Sequence, residues 1–209
     1  EIKGVAHTRW IPALTHVESF RQYALLAIRE ELKKRVSDPE SLSIHHKELD
    51  FDAYNFDSIS TIKTAKSKGK KIIAVNLPYF KGLLSHFAQP EYSFAEEFEG
   101  RLSVVACLAR PNMTCSEALE PLIFEEDWDK IRQLLDAKEQ DAQIVFWAPE
   151  DDVKTALESI DERCKMAFDG VPNETRKSFE DGSTVFERVL PGADRMYPDT
   201  DTVPIPLED

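Results

Sequence analysis

The sequence predicts an α+β fold: a two-layer domain with helices on one face of a mixed or antiparallel sheet, joined to flanking segments of another body. Three observations carry this. The apolar period switches repeatedly between about 3.6 and 2, giving strand, helix, strand, irregular helical segment, helix, strand and helix between about residues 45 and 170. The composition, 42% hydrophobic and 31% charged over 209 residues, suits one core with room for flanks. The two ends differ in kind from the middle, which divides the chain into residues 1–44, 45–172 and 173–209.

Glu1 to Val5 (EIKGV) reads as a short strand. Pro12 suits a first helical turn. From Ile11 to Val36, Leu14, Val17, Phe20, Ala24, Ile28 and Leu32 fall at helical spacing, opposite Arg29, Glu30 and Glu31. Lys33, Lys34 and Arg35 suit the negative end of the helix dipole, and Ser37-Asp38-Pro39 stops it. Glu48 to Tyr54 alternates as a half-buried strand. Asn55 or Asp57 caps a helix to about Ser67, with Ile59, Ile62 and Ala65 inward. Ile72 to Leu77 is apolar enough for a central strand. Leu77 to Phe87 (LPYFKGLLSHF) is an apolar loop, and Phe94, Phe98 and Leu102 mark a helix between Glu91 and Ala109. Thr114 or Ser116 starts a turn. Asp127 to Ala137 is amphipathic through Trp128, Ile131, Leu134 and Leu135. Gln143 to Ala148 is a strand, and Pro149 opens a long helix to about Phe168 that Gly170 and Pro172 end. Thr175 to Leu190 is a hairpin around Asp181-Gly182, and Asp194 to Asp209 is Pro-rich, acidic and extended.

Charge narrows the function classes. The net charge is −13, but residues 1–115 hold 16 basic and 14 acidic residues while residues 116–209 hold 10 and 25. A phosphate backbone is tolerated by the first part and repelled by the second. Any nucleic-acid contact is therefore expected from Lys63, Lys66, Lys68, Lys70 and Lys71, with Lys81 in the loop beyond; the alternative for this cluster is a solvated helix end. DNA and membrane partners are not expected: no apolar run approaches the roughly 18 residues that cross a bilayer. Cys107, Cys115 and Cys164 are odd in number and lack a CxxC, which predicts free thiols in a reducing, cytoplasmic setting. The opening without an initiator Met predicts an excised piece of a longer chain.

No phosphate-binding glycine loop, HExxH or nucleophile elbow is present. His45 and His46 are adjacent, so they point to opposite faces of a strand and chelate poorly. Glu125, Glu126, Asp127 and Asp129 read as helix N-terminal charges more readily than as a divalent site. In the closing segment, Arg195, Tyr197, Asp199 and Asp201 share one face of an extended chain around Pro198, a surface able to meet a nucleotide with magnesium or a tRNA end.

At these residues the sequence resembles the Glu-tRNA(Gln) amidotransferase GatB/GatE family, and GatE most of all. The carriers are EIKGV with the helix ending in ELKKR, and PNETR with FERVLPGADRMYPDTD at the other end. Between them LPYFKGLL and QIVFWAPEDDVKTALESIDERC resemble the GAD insert domain, shared with bacterial aspartyl-tRNA synthetases. The loop after LPYFKGLL departs from the family pattern, with Ser85 to Tyr92 where members are richer in Gly and Arg. The resemblance implies a parent ligase that phosphorylates and then aminates the glutamate on Glu-tRNA(Gln). It uses ATP and Mg²⁺ and takes ammonia from an asparaginase-like, GatD-type partner. It implies that Glu1, Lys3, Arg195, Tyr197, Asp199 and Asp201 edge the host pocket, that the main site lies outside this chain, and that the piece itself is inactive, holds no cofactor and supports tRNA binding or the architecture of the assembly. Two other readings compete: the same insert from an aspartyl-tRNA synthetase, and a non-catalytic module whose acidic half binds a basic protein.

Overall fold

The computed structural model describes residues 14–50 and 60–189. In order they form α1 (Leu14–Arg35), β1 (His45–Glu48), α2 (Ser60–Ser67), β2 (Lys71–Leu77), β3 (Phe87–Gln89), β4 (Tyr92–Ser93), α3 (Ala95–Val105), β5 (Met113–Cys115), α4 (Glu125–Leu134), β6 (Ala142–Ala148), α5 (Glu150–Asp169), β7 (Glu174–Ser178) and β8 (Thr184–Val189). The class is α+β, as expected. A four-stranded antiparallel sheet runs β1-β2-β6-β5, and β3–β4 and β7–β8 are separate hairpins.

The centre of the sheet is β2 against β6, paired without a break from Lys71↔Ala148 to Leu77↔Ala142. Their apolar runs carry no regular polar alternation because neither face meets water. Ile73, Val75, Leu77, Ile144, Phe146 and Ala148 point into a core shared with α1, α3 and α5. Ile72, Ala74, Val145 and Trp147 point the other way, onto Ile62 and Ala65 of α2 and Trp128 and Ile131 of α4. The expected helical layer on one face is present, and the structure adds a second layer on the opposite face.

The helices hold to their expected spans, but the inward stripe of α1 is rotated. Ala24, Leu25, Ile28 and Leu32 are buried, whereas Phe20, expected inward, is 47% exposed. The inward positions one and two turns before Leu25 are taken by Arg21 and Glu18, both fully buried. At the cap of α3 and within it, the expected Phe94, Phe98 and Leu102 are all inside, with the rings of Phe94 and Phe98 edge-to-face at 5.3 Å. In α5 Ala156, Ile160, Cys164 and Ala167 are inside, joined by Arg163.

β1 begins three residues before the expected strand, and its pairing runs on to Leu49, whose N–H reaches Ile72 O at 2.8 Å. Most of the rest of that expected strand, with all of residues 51–59, lies outside the described residues. Of the two residues expected to start a turn, Thr114 sits inside β5, where the sheet takes a short edge beside β6, and the turn begins at Ser116.

Candidate functional site

Two features of the described residues concentrate charge. One is a lysine face on the surface; the other is an ionic core.

The lysine face is built by the end of α2. Ile62 and Ala65 point into the core and leave Lys63 on the outside. The helix closes with Lys70 N–H on Ala65 O (3.2 Å) and Gly69 N–H on Lys66 O (2.9 Å), with Gly69 at φ +75°. This is a Schellman closure, which needs the left-handed conformation that glycine adopts freely. It turns the chain straight into β2, so Lys63, Lys66, Lys68 and Lys70 follow one another along the helix end and its turn, whereas Lys71, expected with them, lies on the opposite face of the sheet beside α5, because side chains alternate along β2. Lys71 is held by Glu48 at 3.0 Å, which raises its pKa. Lys81 is not part of this face: it follows the other end of β2, seven residues long, and lies 3.9 Å from Glu139.

The loop at that other end is fixed by charged side chains. Arg35, at the end of α1, donates to Tyr79 O (2.7 Å) and Lys81 O (2.8 Å). Asp141 accepts from Tyr79 N (3.1 Å), Lys138 N (2.9 Å) and Asn76 Nδ2 (2.8 Å). Glu117 accepts from the main chain of Gly82 and Ser85. The LPYFKGLL stretch is thereby a rigid turn with Phe80, Leu83 and Leu84 buried.

The ionic core has no counterpart among the sequence-based expectations. Four arginines, Arg21, Arg101, Arg163 and Arg176, meet three glutamates, Glu18, Glu97 and Glu174, and all seven are buried. They come from α1, α3, α5 and β7. Glu97 is the hub: it accepts from Arg21 Nε (2.9 Å) and Nη2 (2.7 Å) and from Arg176 Nη2 (3.1 Å) and Nη1 (3.4 Å). Glu174 accepts from Arg21 (3.0 Å), Arg176 (2.7 Å) and Arg101 (3.3 Å). Thr184 and Gln89 complete it, with Thr184 Oγ1 donating to Glu18 Oε2 at 2.9 Å. Burial pushes the Glu97 carboxyl up, but Arg176 and Arg21, with Arg163 behind them, outweigh it and hold it well below the ordinary carboxylate range. Arg163 has the opposite balance. Burial dominates and lowers its pKa, since none of its three guanidinium nitrogens has a hydrogen-bond partner. Its nearest carboxylate oxygen is on Glu97, 3.5 Å away, and its flat face lies 4.7 Å from the Phe94 ring centroid.

The remaining candidates divide cleanly. Glu1, Lys3, Arg195, Tyr197, Asp199 and Asp201, and with them both chain ends, lie outside the described residues. His45 and His46 do point apart: His45 reaches Leu135 O (2.8 Å) on the α4 side, and His46 borders α5. The acidic start of α4 is used within the helix, with Glu125 and Asp129 on Arg132 and Asp127 on Lys130. Among the described residues no group of three or more His, Cys, Asp or Glu is arranged to hold a metal ion. The cysteines are free thiols; burial pushes Cys115 up to about 11 and Cys164 further. No described helix is long and apolar enough to cross a membrane.

No family model matches the chain. Individual relatives do. The chain is 37% identical over 206 residues to the E subunit of the glutamyl-tRNA(Gln) amidotransferase of Pyrococcus furiosus, covering 98% of the chain and 32% of that relative. It is 38% identical over 207 residues to the E subunit of the same enzyme from Methanocaldococcus jannaschii, again 98% and 32%. With the corresponding protein of Methanopyrus kandleri it shares 34% over 212 residues, 100% and 32%. The chain thus spans about a third of the length of the curated relatives it matches.

Proposed function

The chain belongs to the GatE family of Glu-tRNA(Gln) amidotransferases over the third of those proteins it spans, and from this we propose that it is the tRNA-supporting segment of such a ligase. The parent converts Glu-tRNA(Gln) to Gln-tRNA(Gln) in the cytoplasm with ATP, Mg²⁺ and ammonia from an asparaginase-like partner. Residues 45–172 are its GAD-type insert. Relatedness along 98–100% of the chain supports the parent reaction. Phosphoryl transfer needs metal-held carboxylates around a nucleotide. The described residues offer no such constellation, so no step of the reaction is assigned to them; Glu1, Lys3, Arg195, Tyr197, Asp199 and Asp201 remain the residues proposed to edge the host pocket.

The observation that carries the segment's own role is the Schellman corner. In a chain of net charge −13, it carries four lysines, Lys63, Lys66, Lys68 and Lys70, where α2 turns into β2. Such a corner suits a phosphate backbone by charge and reads no base. Filter binding of Glu-tRNA(Gln) to the 209-residue chain tests it. Four neutralised phosphates give a log–log salt slope of about −3 to −4, so doubling the salt weakens binding about tenfold. A variant with Lys63, Lys66, Lys68 and Lys70 all changed to Glu loses both the binding and the slope. Binding that ignores salt and survives those changes refutes the role.

A further inference from the structure

We propose that β1 is a docking edge for an extended segment of a partner protein, which joins the sheet as a fifth strand and seats an apolar side chain between β1 and α5. The main chain supplies the first argument. Among the described residues β1 closes one end of the sheet and pairs with β2 alone. Its register is His45↔Asn76 and Lys47↔Ala74, continued by the bond from Leu49 N–H to Ile72 O. The odd-numbered residues therefore bond to β2, and the alternation of an antiparallel ladder turns the N–H and C=O of His46 and Glu48 outward. In that outward row the N–H of Ile44 is already taken by the Asp161 carboxylate at 3.0 Å. Among the described residues the open row thus starts at His46, and all four residues of β1 are exposed.

The second argument is the groove beside that row. A cavity of about 510 Å³ lies between β1 and α5, floored by Ile73, Val153 and Leu157 and bordered by the side chains of His46 and Glu48. Residues opposite one another across an antiparallel ladder share a face. A strand paired antiparallel to His46 and Glu48 therefore directs its own side chains into this cavity. Charge adds a third constraint. Lys71 is held by Glu48, and Lys154 lies 3.8 Å from Glu158, which leaves the Glu150 carboxylate as the further charge on the lining. The surplus at the rim is acidic, so the incoming strand carries a basic residue two positions from its apolar one, on the same face. A short charged edge resists indiscriminate pairing. Here the groove makes pairing selective: the main chain gives affinity and the cavity gives specificity.

The test uses the 209-residue chain and an array of acetylated hexapeptides in which Val or Ile and Lys sit two residues apart, on one face, with Thr at the positions between them. The tightest binder is expected to slow amide exchange at His46 and Glu48 tenfold or more, leaving Lys47, already bonded to β2, unchanged. His46→Pro removes one outward N–H without touching the β2 ladder, a position proline tolerates on an edge strand. Leu157→Glu puts a charge on the groove floor. Each weakens binding at least tenfold, and either suffices if the other does not fold. The proposal is overturned if no hexapeptide protects these amides or if binding ignores both substitutions. It also falls if protection rises with protein concentration alone, which would mean a second copy, or comes from an oligonucleotide instead.

Discussion

Arg163 and Arg176 are two arginines in one buried cluster with opposite consequences. Arg176 bonds both Glu97 and Glu174; removing it leaves two carboxylates short of a partner in the interior, a loss of about 3–5 kcal/mol. Arg163 makes no hydrogen bond, whereas Arg21, Arg101 and Arg176 each bond a carboxylate. Replacing a poorly paired buried ion with an apolar side chain of similar length is neutral to stabilising. Urea unfolding should therefore show Arg176→Met far less stable than the parent and Arg163→Met equal to it or better. Glu97 gives the same cluster a pH signature. Its folded pKa is depressed, so its contribution is complete above the unfolded value of about 4.3 and is lost as the pH falls through the lower folded value. The urea midpoint of the parent should fall on acidification below about pH 4, and Glu97→Gln should be less stable at neutral pH and lack that part of the fall.

At the scale of elements, two glycines separate backbone strain from packing. Gly82 has φ +78° with no heavy atom within 4 Å of a would-be Cβ, so Gly82→Ala should cost only the left-handed strain, about 1–2 kcal/mol. Gly170 ends α5 at φ +108°, and a Cβ there would meet Arg29 Cδ at 3.2 Å and Leu26 Cδ2 at 3.3 Å of α1. Gly170→Ala should be the more destabilising by a measurable margin in thermal unfolding, because the Arg29 and Leu26 side chains must also give by a few tenths of an ångström and the backbone at φ +108°, ψ −115° suits only glycine. Elements of this kind were legible from the sequence: the long apolar period of α5, the run of β2 and β6, and the Asp181-Gly182 turn each have one local cause. β3, β4 and β5 were not, since two or three residues carry no period. The ionic core was hidden for another reason. Glu97 beside Phe98, and Arg163 beside Cys164, read as polar residues bordering an apolar stripe, and only partners 76 and 79 residues away turn Glu97 inward. The signal available was a charge spaced three or four residues from inward apolar positions, as Arg21 is from Leu25.

For the whole molecule, chain order and spatial order part company. The near-neutral and acidic parts of the sequence interleave: β2 from the first is bonded along its length to β6 from the second. The lysine corner therefore sits on a body that is acidic as a whole, which favours one orientation of a polyanion over all others. The same interleaving bears on the segments 1–44, 45–172 and 173–209. Leu25, Ile28 and Leu32 of α1 sit in the core with Ile73 and Phe146. Arg21 of α1 and Arg176 of β7 supply the main hydrogen bonds to Glu97. A piece cut to 45–172 would thus expose an apolar face and leave Glu97 with no arginine but Arg163, which bonds it poorly. Losing two partners of a buried carboxylate at about 3–5 kcal/mol for a broken pair is comparable to the whole stability of a domain, about 5–15 kcal/mol. Residues 14–189 should unfold in one cooperative transition, and residues 45–172 should show none, with far-ultraviolet helical signal but no sharp melt. A sharp melt from 45–172 near that of 14–189 would mean that the flanks are carried by the fold and do not hold it.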